Sequence, residues 1–103
     1  ALTLDLKQCR RAGESPFDFI KLVGEKIVNV HISDYNEISD CLPPFEGKED
    51  FKKIIAALNE KNYSGKYLIE LYRHNFKTAE QIKKAALKLD NLFAKLMNKK
   101  ITE

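Results

Sequence analysis

The sequence predicts an α/β fold made of three consecutive βα units, with the strands parallel in one sheet. Three short apolar runs alternate with three longer segments in which apolar residues recur at helical spacing. A helix between two successive strands returns the chain to the starting end of the sheet, so the strands are expected to run parallel. The crossovers are expected to be right-handed. Strands are expected at about 2–6, 27–33 and 66–72, and helices at about 16–24, 49–61 and 79–97. The 103 residues have room for one domain, 1–103, since domains typically have about 100–200 residues.

The first unit begins almost at once, with apolar and polar residues alternating over 2–6. Ser15 and Pro16 are typical of a helix N-cap and first helical position, so the first helix is expected to begin there. Gly24 is typical of a helix end.

The second unit starts with a strand at 27–33 that is rich in β-branched residues. A long loop is predicted next over 34–47, because Pro43, Pro44 and Gly47 mark turns and no period is present. Helical spacing then returns and carries the chain to about residue 61.

The third unit carries an apolar strand interrupted by one charge, Glu70. Thr78 and Gln81 form a capping-box pattern that opens the last helix. No glycine-rich phosphate loop follows any strand, so nucleotide binding of that type is not predicted. This order of elements leaves two architectures open, a piece of a barrel and a small doubly wound sheet.

Composition and charge narrow the function classes. The net charge is +3, and the excess of lysine after residue 50 falls at helical spacing typical of solvated faces, so no nucleic-acid partner is expected. No apolar stretch approaches the roughly 18 residues of a membrane span, so no membrane partner is expected. Cys9 and Cys41 lack CxxC spacing, which favours two reduced thiols in a cytoplasmic protein over a zinc knuckle or a disulfide.

Three ionisable residues interrupt the apolar strands, one on each strand and each toward its carboxyl end: Asp5, His31 and Glu70. The carboxyl ends of parallel strands meet at one edge, where ligands bind, so these side chains are expected to converge. Taken singly, a strand-end histidine is usually structural, and a lone carboxylate usually caps a helix or lies on the surface. Together they favour a divalent cation such as Mn²⁺, Mg²⁺, Co²⁺ or Zn²⁺, because three unpaired ionisable groups are costly to bury together.

These residues also carry a resemblance to a known family. The runs LTLDLKQ, IVNVHISD and YLIELYR, with the intervening LPPFEGKEDF and the turn NYSGKY, resemble the last three βα units of the xylose isomerase-like TIM-barrel superfamily. That superfamily includes sugar and sugar-phosphate isomerases and epimerases, with endonuclease IV as a relative. The resemblance covers residues 2–97 and implies the C-terminal part of a (β/α)₈ barrel, which typically takes about 250 residues.

The resemblance also implies an activity and a ligand set. It assigns Asp5, His31 and Glu70 to a divalent metal and makes Glu70 the group that exchanges a proton with the substrate. The implied function is a metal-dependent isomerase or epimerase of a sugar or sugar phosphate. A second catalytic glutamate would come from a strand that precedes this segment, so the 103 residues alone are not expected to be active.

The sequence departs from the family pattern around the expected substrate. Gln8 stands where many members have histidine, Glu37 where they have arginine, and Phe45 where a glycine is common. We expect Gln8, Asp34 and Arg73 to contact the substrate, with a surface salt bridge as an equal alternative for Arg73.

Two other functions remain open. An abasic-DNA nuclease like endonuclease IV would need several zinc-binding histidines, whereas the whole sequence contains His31 and His74. A non-catalytic binding module is the second alternative. Because three parallel strands leave two open edges, we expect the isolated chain to self-associate or to be only marginally stable without the rest of the barrel.

Overall fold

The computed structural model describes residues 1–72 and 76–102, the last six of these as helical backbone only. Its strands are β1 Leu2–Asp5, β2 Ile27–Ile32 and β3 Lys66–Ile69. Its helices are α1 Leu6–Arg11, α2 Pro16–Val23, α3 Phe51–Glu60 and α4 Ala79–Thr102, with a 3₁₀ turn at Gly24–Lys26. Within these residues, no helix is long and apolar enough to span a membrane.

The three strands form one sheet in the order β1-β2-β3, and both neighbouring pairs are parallel. The predicted α/β arrangement is therefore confirmed. The register places Asp5 beside His31 on β2, and Leu68 of β3 beside His31 on the other side. The strands are shorter than the predicted spans, and β3 ends at Ile69. Glu70 nonetheless stays attached to the sheet, because its backbone N–H donates to the Ile32 carbonyl at 3.0 Å.

Helix α1 has no counterpart among the predicted elements. The chain passes from β1 into this helix without a loop, and the side chain of Asp5 caps it by accepting the N–H of Gln8 at 3.1 Å. Leu6 and Cys9, three residues apart, face the core. A segment of six residues is too short for its apolar spacing to distinguish a helix from a turn in the sequence, so this helix was not predicted.

The two faces of the sheet differ in character. One face packs against the helices, and its residues Leu4, Val30 and Ile32 are fully buried. The core cluster around them also contains Leu6, Ile20, Phe51, Ile54 and Leu58. By strand alternation, the opposite face carries Thr3 and Asp5 from β1, Asn29 and His31 from β2, and Leu68 from β3. Leu68 is 53% exposed, so the helices cover the sheet on one side only in the described part of the chain.

The loop after β2 is organised by a buried aspartate. Asp34 is 1% exposed, and its Oδ1 accepts the backbone N–H groups of Tyr35 and Glu49, both at 2.8 Å. Its Oδ2 accepts the N–H of Gly47 at 2.9 Å. The Asp34 backbone exchanges two further hydrogen bonds with Leu42, each 2.8 Å long. One carboxylate thus binds amides from both ends of the loop, which holds the two ends together.

An ion pair ties the end of this loop to α1. Arg10 donates from Nη2 to Oε1 of Glu49 at 2.5 Å and from Nε to Oε2 at 3.0 Å, and the Glu49 side chain is 1% exposed. The Arg10 guanidinium also lies over the ring of Tyr35, 4.3 Å from its centroid. This bidentate pairing satisfies a carboxylate that would be costly to bury alone.

Both cysteines are buried free thiols, and burial raises the pKa of each. Cys41 also donates its S–H to the backbone carbonyl of Glu70 at 3.3 Å, so the loop contacts the end of β3. Because the thiolate is the reactive form, a raised pKa leaves less of it at any given pH.

We expect both thiols of the folded chain to react much more slowly with iodoacetamide at neutral pH than those of the denatured chain. The rate should rise with pH as the thiols ionise, and mass spectrometry of quenched samples measures it. Equal rates in the folded and denatured chain would contradict the buried placement.

Candidate metal centre

The three ionisable residues predicted to converge are brought together at the carboxyl end of the sheet. Asp5 ends β1, His31 is the fifth residue of β2, and Glu70 directly follows β3. Because the strands are parallel and these positions have the same orientation, the three side chains share one face. One ligand atom from each lies within 4.8 Å of the others.

The imidazole of His31 supplies the most informative atom of this cluster. Its Nδ1 lies 3.0 Å from Oε2 of Glu70 and 3.5 Å from Oδ2 of Asp5. The atom is buried, yet it has no partner in hydrogen-bond geometry among the described residues. Buried polar atoms nearly always have such a partner. A ring nitrogen flanked at these distances by two carboxylate oxygens can pair with them directly or share a cation with them.

The other ring nitrogen of His31, Nε2, contacts the side chain of Asn29. The side-chain amide nitrogen of Asn29 lies 3.3 Å from Nε2 on the same face of β2. Because an amide has both a donor and an acceptor end, Asn29 can pair with either tautomer of the ring. A contact of this kind orients a ligating histidine and fixes which nitrogen is available to a metal.

Asp5 divides its two oxygens between structure and site. Oδ1 accepts the Gln8 N–H and caps α1, whereas Oδ2 faces His31. The cap therefore restricts the carboxylate orientation, because rotating Oδ2 away from the site would also break the hydrogen bond at the start of α1. This geometry lets Asp5 act as a helix cap through Oδ1 and as a metal ligand through Oδ2 at the same time.

Glu70 divides its oxygens in the same way. Oε1 accepts from Nζ of Lys7 at 2.6 Å, and Oε2 faces His31. The hydrogen bond from Lys7 holds the pKa of Glu70 below its usual range, so this carboxyl is ionised at neutral pH. The same hydrogen bond, together with one from Lys7 to the Tyr72 hydroxyl at 2.7 Å, raises the pKa of Lys7.

Lys7 belongs to the site but is not among the residues predicted from the sequence. It is 4% exposed and sits in the first turn of α1. A lysine is almost never fully buried unless it is paired, and its partner Glu70 is 63 residues away in sequence. The available signal was its position between Leu6 and Cys9, two residues after a predicted ligand.

The donor set fits a divalent cation. Two carboxylate oxygens and one imidazole nitrogen suit Mn²⁺, Co²⁺ or Zn²⁺, and three protein ligands leave positions open for water or substrate. Asp5 and Glu70 bring two negative charges, of which Lys7 offsets one.

The predicted substrate contacts fare differently. Gln8 is exposed beside the site, and its backbone N–H is used to cap α1. The Asp34 carboxylate is buried and accepts three backbone amides, so the structure gives it a structural role; contact with substrate stays a prediction that this conformation does not favour. Arg73 lies outside the described residues.

Two departures from the family pattern can be located. Glu37 is exposed and pairs with Lys48. Phe45 has a φ of 72°, in the left-handed region that favours glycine, and its ring packs edge-on against Phe51 with centroids 5.1 Å apart. The loop therefore keeps the backbone shape of a glycine while carrying an aromatic side chain.

Comparison with known proteins agrees with this architecture. The family model described as xylose isomerase-like TIM barrel matches residues 1–92, which include every ligand of the candidate centre. A search of the curated proteins finds no match. Among solved structures, the crystal structure of a D-tagatose 3-epimerase-like protein superposes with a TM-score of 0.76 at 24% sequence identity. The superposition covers 98% of this chain and 37% of that chain, so the present segment spans a little over a third of that structure.

Proposed function

Because the chain belongs to the xylose isomerase-like TIM-barrel family, we propose that it is part of a metal-dependent isomerase or epimerase of a sugar or sugar phosphate. The observation that carries the proposal is the convergence of Asp5, His31 and Glu70, which bring one ligand atom each to within 4.8 Å of one another. The similar solved structure is a D-tagatose 3-epimerase-like protein, whose description agrees with a sugar epimerase.

The proposed chemistry divides between a cation and the residues of the chain. When bound, a divalent cation such as Mn²⁺, Mg²⁺, Co²⁺ or Zn²⁺ supplies a Lewis acid for the oxygen atoms of the substrate. Glu70 takes the proton from the carbon next to the substrate carbonyl, and the electron pair of that C–H bond moves toward the carbonyl oxygen. Reprotonation at the neighbouring carbon gives isomerisation, and reprotonation of the same carbon from the opposite face gives epimerisation.

Glu70 can act as the base because its carboxylate is ionised at neutral pH and can accept a proton. The hydrogen bond from Lys7 to Oε1 lowers the pKa of this carboxyl, which keeps it charged and makes it a weaker base than an ordinary glutamate. Epimerisation also needs a second acid or base on the opposite side of the reacting carbon. We place that group on a preceding strand of the complete barrel, as the family resemblance implies.

The nuclease alternative has less support. A multi-zinc site would draw on several histidines, whereas the candidate centre in the described residues uses one imidazole and two carboxylates. That set favours a single cation.

The proposal is tested by Mn²⁺ binding to the chain, measured by isothermal titration calorimetry. We expect one Mn²⁺ per chain and at least a hundredfold weaker binding in His31→Ala, because the central ligand is lost. Glu37→Gln is the matched control, since it removes an exposed carboxylate whose partner is Lys48. It should change the affinity less than twofold. Absence of saturable binding, or equal binding by His31→Ala, would overturn the metal centre.

A further inference from the structure

We propose that Lys7 is a positioning residue that aims Oε2 of Glu70 at the cation position by holding the other oxygen, Oε1. This inference rests on the proposed function, because it concerns the same centre. It adds a residue that lies outside the ligand set and in an element the sequence did not predict.

The first observation is that the Lys7 side chain is buried and hydrogen-bonded at the carboxyl end of the sheet. The side chain is 4% exposed, and its ammonium donates to Oε1 of Glu70 at 2.6 Å and to the Tyr72 hydroxyl at 2.7 Å. The same ammonium lies 4.7 Å from the centroid of the Tyr72 ring. A buried ammonium with two short hydrogen bonds has little freedom to move.

The second observation is where this contact falls in the topology. β1 and β3 are not neighbours, because β2 lies between them. Lys7 lies two residues after Asp5, in the helix that follows β1, and its side chain contacts Glu70 just after β3. It therefore links the segments that follow β1 and β3, across the end of the central strand β2. It therefore fixes the spacing of the two carboxylates on either side of His31.

The third observation is the division of the Glu70 oxygens. A glutamate carboxylate rotates broadly about its last torsion, so an unpaired Glu70 would present either oxygen, or neither, to His31. With Oε1 held by Lys7, Oε2 lies 3.0 Å from Nδ1 of His31. Holding the second oxygen of a ligating carboxylate orients the first, as the outer partners of metal ligands commonly do.

Orientation and charge predict opposite results when Lys7 is replaced. A lysine cation near the centre repels a second cation, so charge alone predicts tighter binding once the lysine is removed. Loss of orientation predicts weaker binding, and loss of outer partners typically costs about 10–100-fold in metal affinity. The sign of the change therefore separates the two effects.

The experiment is a Mn²⁺ titration of the chain and three variants by calorimetry. We expect Lys7→Met to bind Mn²⁺ about tenfold more weakly, at the low end of that range because charge opposes the loss. Lys7→Arg keeps a cationic donor and should restore binding to within about threefold. Lys48→Met, which removes an exposed lysine paired with Glu37, should have no effect.

A second readout separates positioning from general stability. A role in stability alone would lower the thermal midpoint of the metal-free Lys7→Met chain and leave its Mn²⁺ affinity unchanged. Should Lys7→Met fail to fold by circular dichroism, Lys7→Leu takes its place, since it also removes the donor to Glu70 and fills the buried position with an apolar side chain, and weaker binding is again expected.

The outcomes distinguish the two proposals. Equal or tighter Mn²⁺ binding in a folded variant that removes the lysine donor, Lys7→Met or Lys7→Leu, overturns the positioning role and leaves the metal centre standing. No Mn²⁺ binding by the unaltered chain overturns the proposed function and this inference with it.

Discussion

Replacing Glu70 with glutamine in the complete barrel is expected to abolish exchange of the substrate hydrogen with solvent. The amide keeps the size and shape of the side chain but cannot act as the base, and general bases typically contribute about 10²–10⁴-fold to a rate. The nearby Lys7 still has an oxygen to bond, so the local structure should survive. Deuterium incorporation from D₂O into the sugar, followed by mass spectrometry, measures the exchange. Substrate binding should weaken far less than the rate, because the shape of the site is kept.

The matched control for this experiment is Glu25→Gln, which makes the same chemical change at an exposed position just before β2, at the opposite end of the sheet from the candidate centre. It should exchange deuterium at the unaltered rate. If Glu70→Gln also retains exchange, another group acts as the base, and Glu70 is at most a ligand.

Replacing Asp34 with alanine is expected to lower the free energy of unfolding by about 4 kcal/mol. Three backbone amides lose one buried carboxylate acceptor, and each buried donor left without a partner costs roughly 1–3 kcal/mol. Typical domains are stable by about 5–15 kcal/mol, so the loss is a large part of the total. Urea unfolding followed by circular dichroism measures the change.

Asp40→Ala is the control, because Asp40 is a more exposed aspartate of the same loop that pairs with Arg11. It should cost at most about 1 kcal/mol, as exposed ion pairs do. A second variant tests the same loop by steric means. A Cβ on Gly47 would lie 2.6 Å from Oδ1 of Asp34 and still nearer the Tyr35 carbonyl, whereas one on Gly13 meets no atom and costs only the strain of its left-handed φ of 71°. Gly47→Ala should therefore destabilise more than Gly13→Ala, and equal effects would contradict the packing of this loop.

The convergence of the three ligands followed from simple rules of sheet geometry. Asp5, His31 and Glu70 are polar residues in apolar strands, and parallel strands place their carboxyl ends at one edge. This prediction needs only the positions of the polar residues in the strands, so it can be made from a sequence alone. It needs no interatomic distance and no knowledge of which distant residues are in contact.

The roles of Asp34 and Lys7 depend on contacts with residues far away in sequence, which the sequence alone does not reveal. Asp34 looks like a substrate contact because polar residues after a strand often are, but its amide donors come from positions 35, 47 and 49 and meet only when the loop folds. Lys7 looks solvent-exposed because lysine usually is. Its burial depends on Glu70, which is 63 residues away.

The alternation of the sheet gives each strand position a parity. On β1 and β2, Leu4 and Val30 belong to the buried set, while Asp5 and His31 belong to the chemical set. Leu4 and Val30 pack in the core and Asp5 and His31 line the candidate centre, so the core and the candidate centre use different positions of the same strands. A single inserted or deleted residue within a strand reverses the parity of all that follow it, sending ligands into the core and apolar residues into the site. Point substitutions are therefore tolerated in these strands far more readily than changes of length.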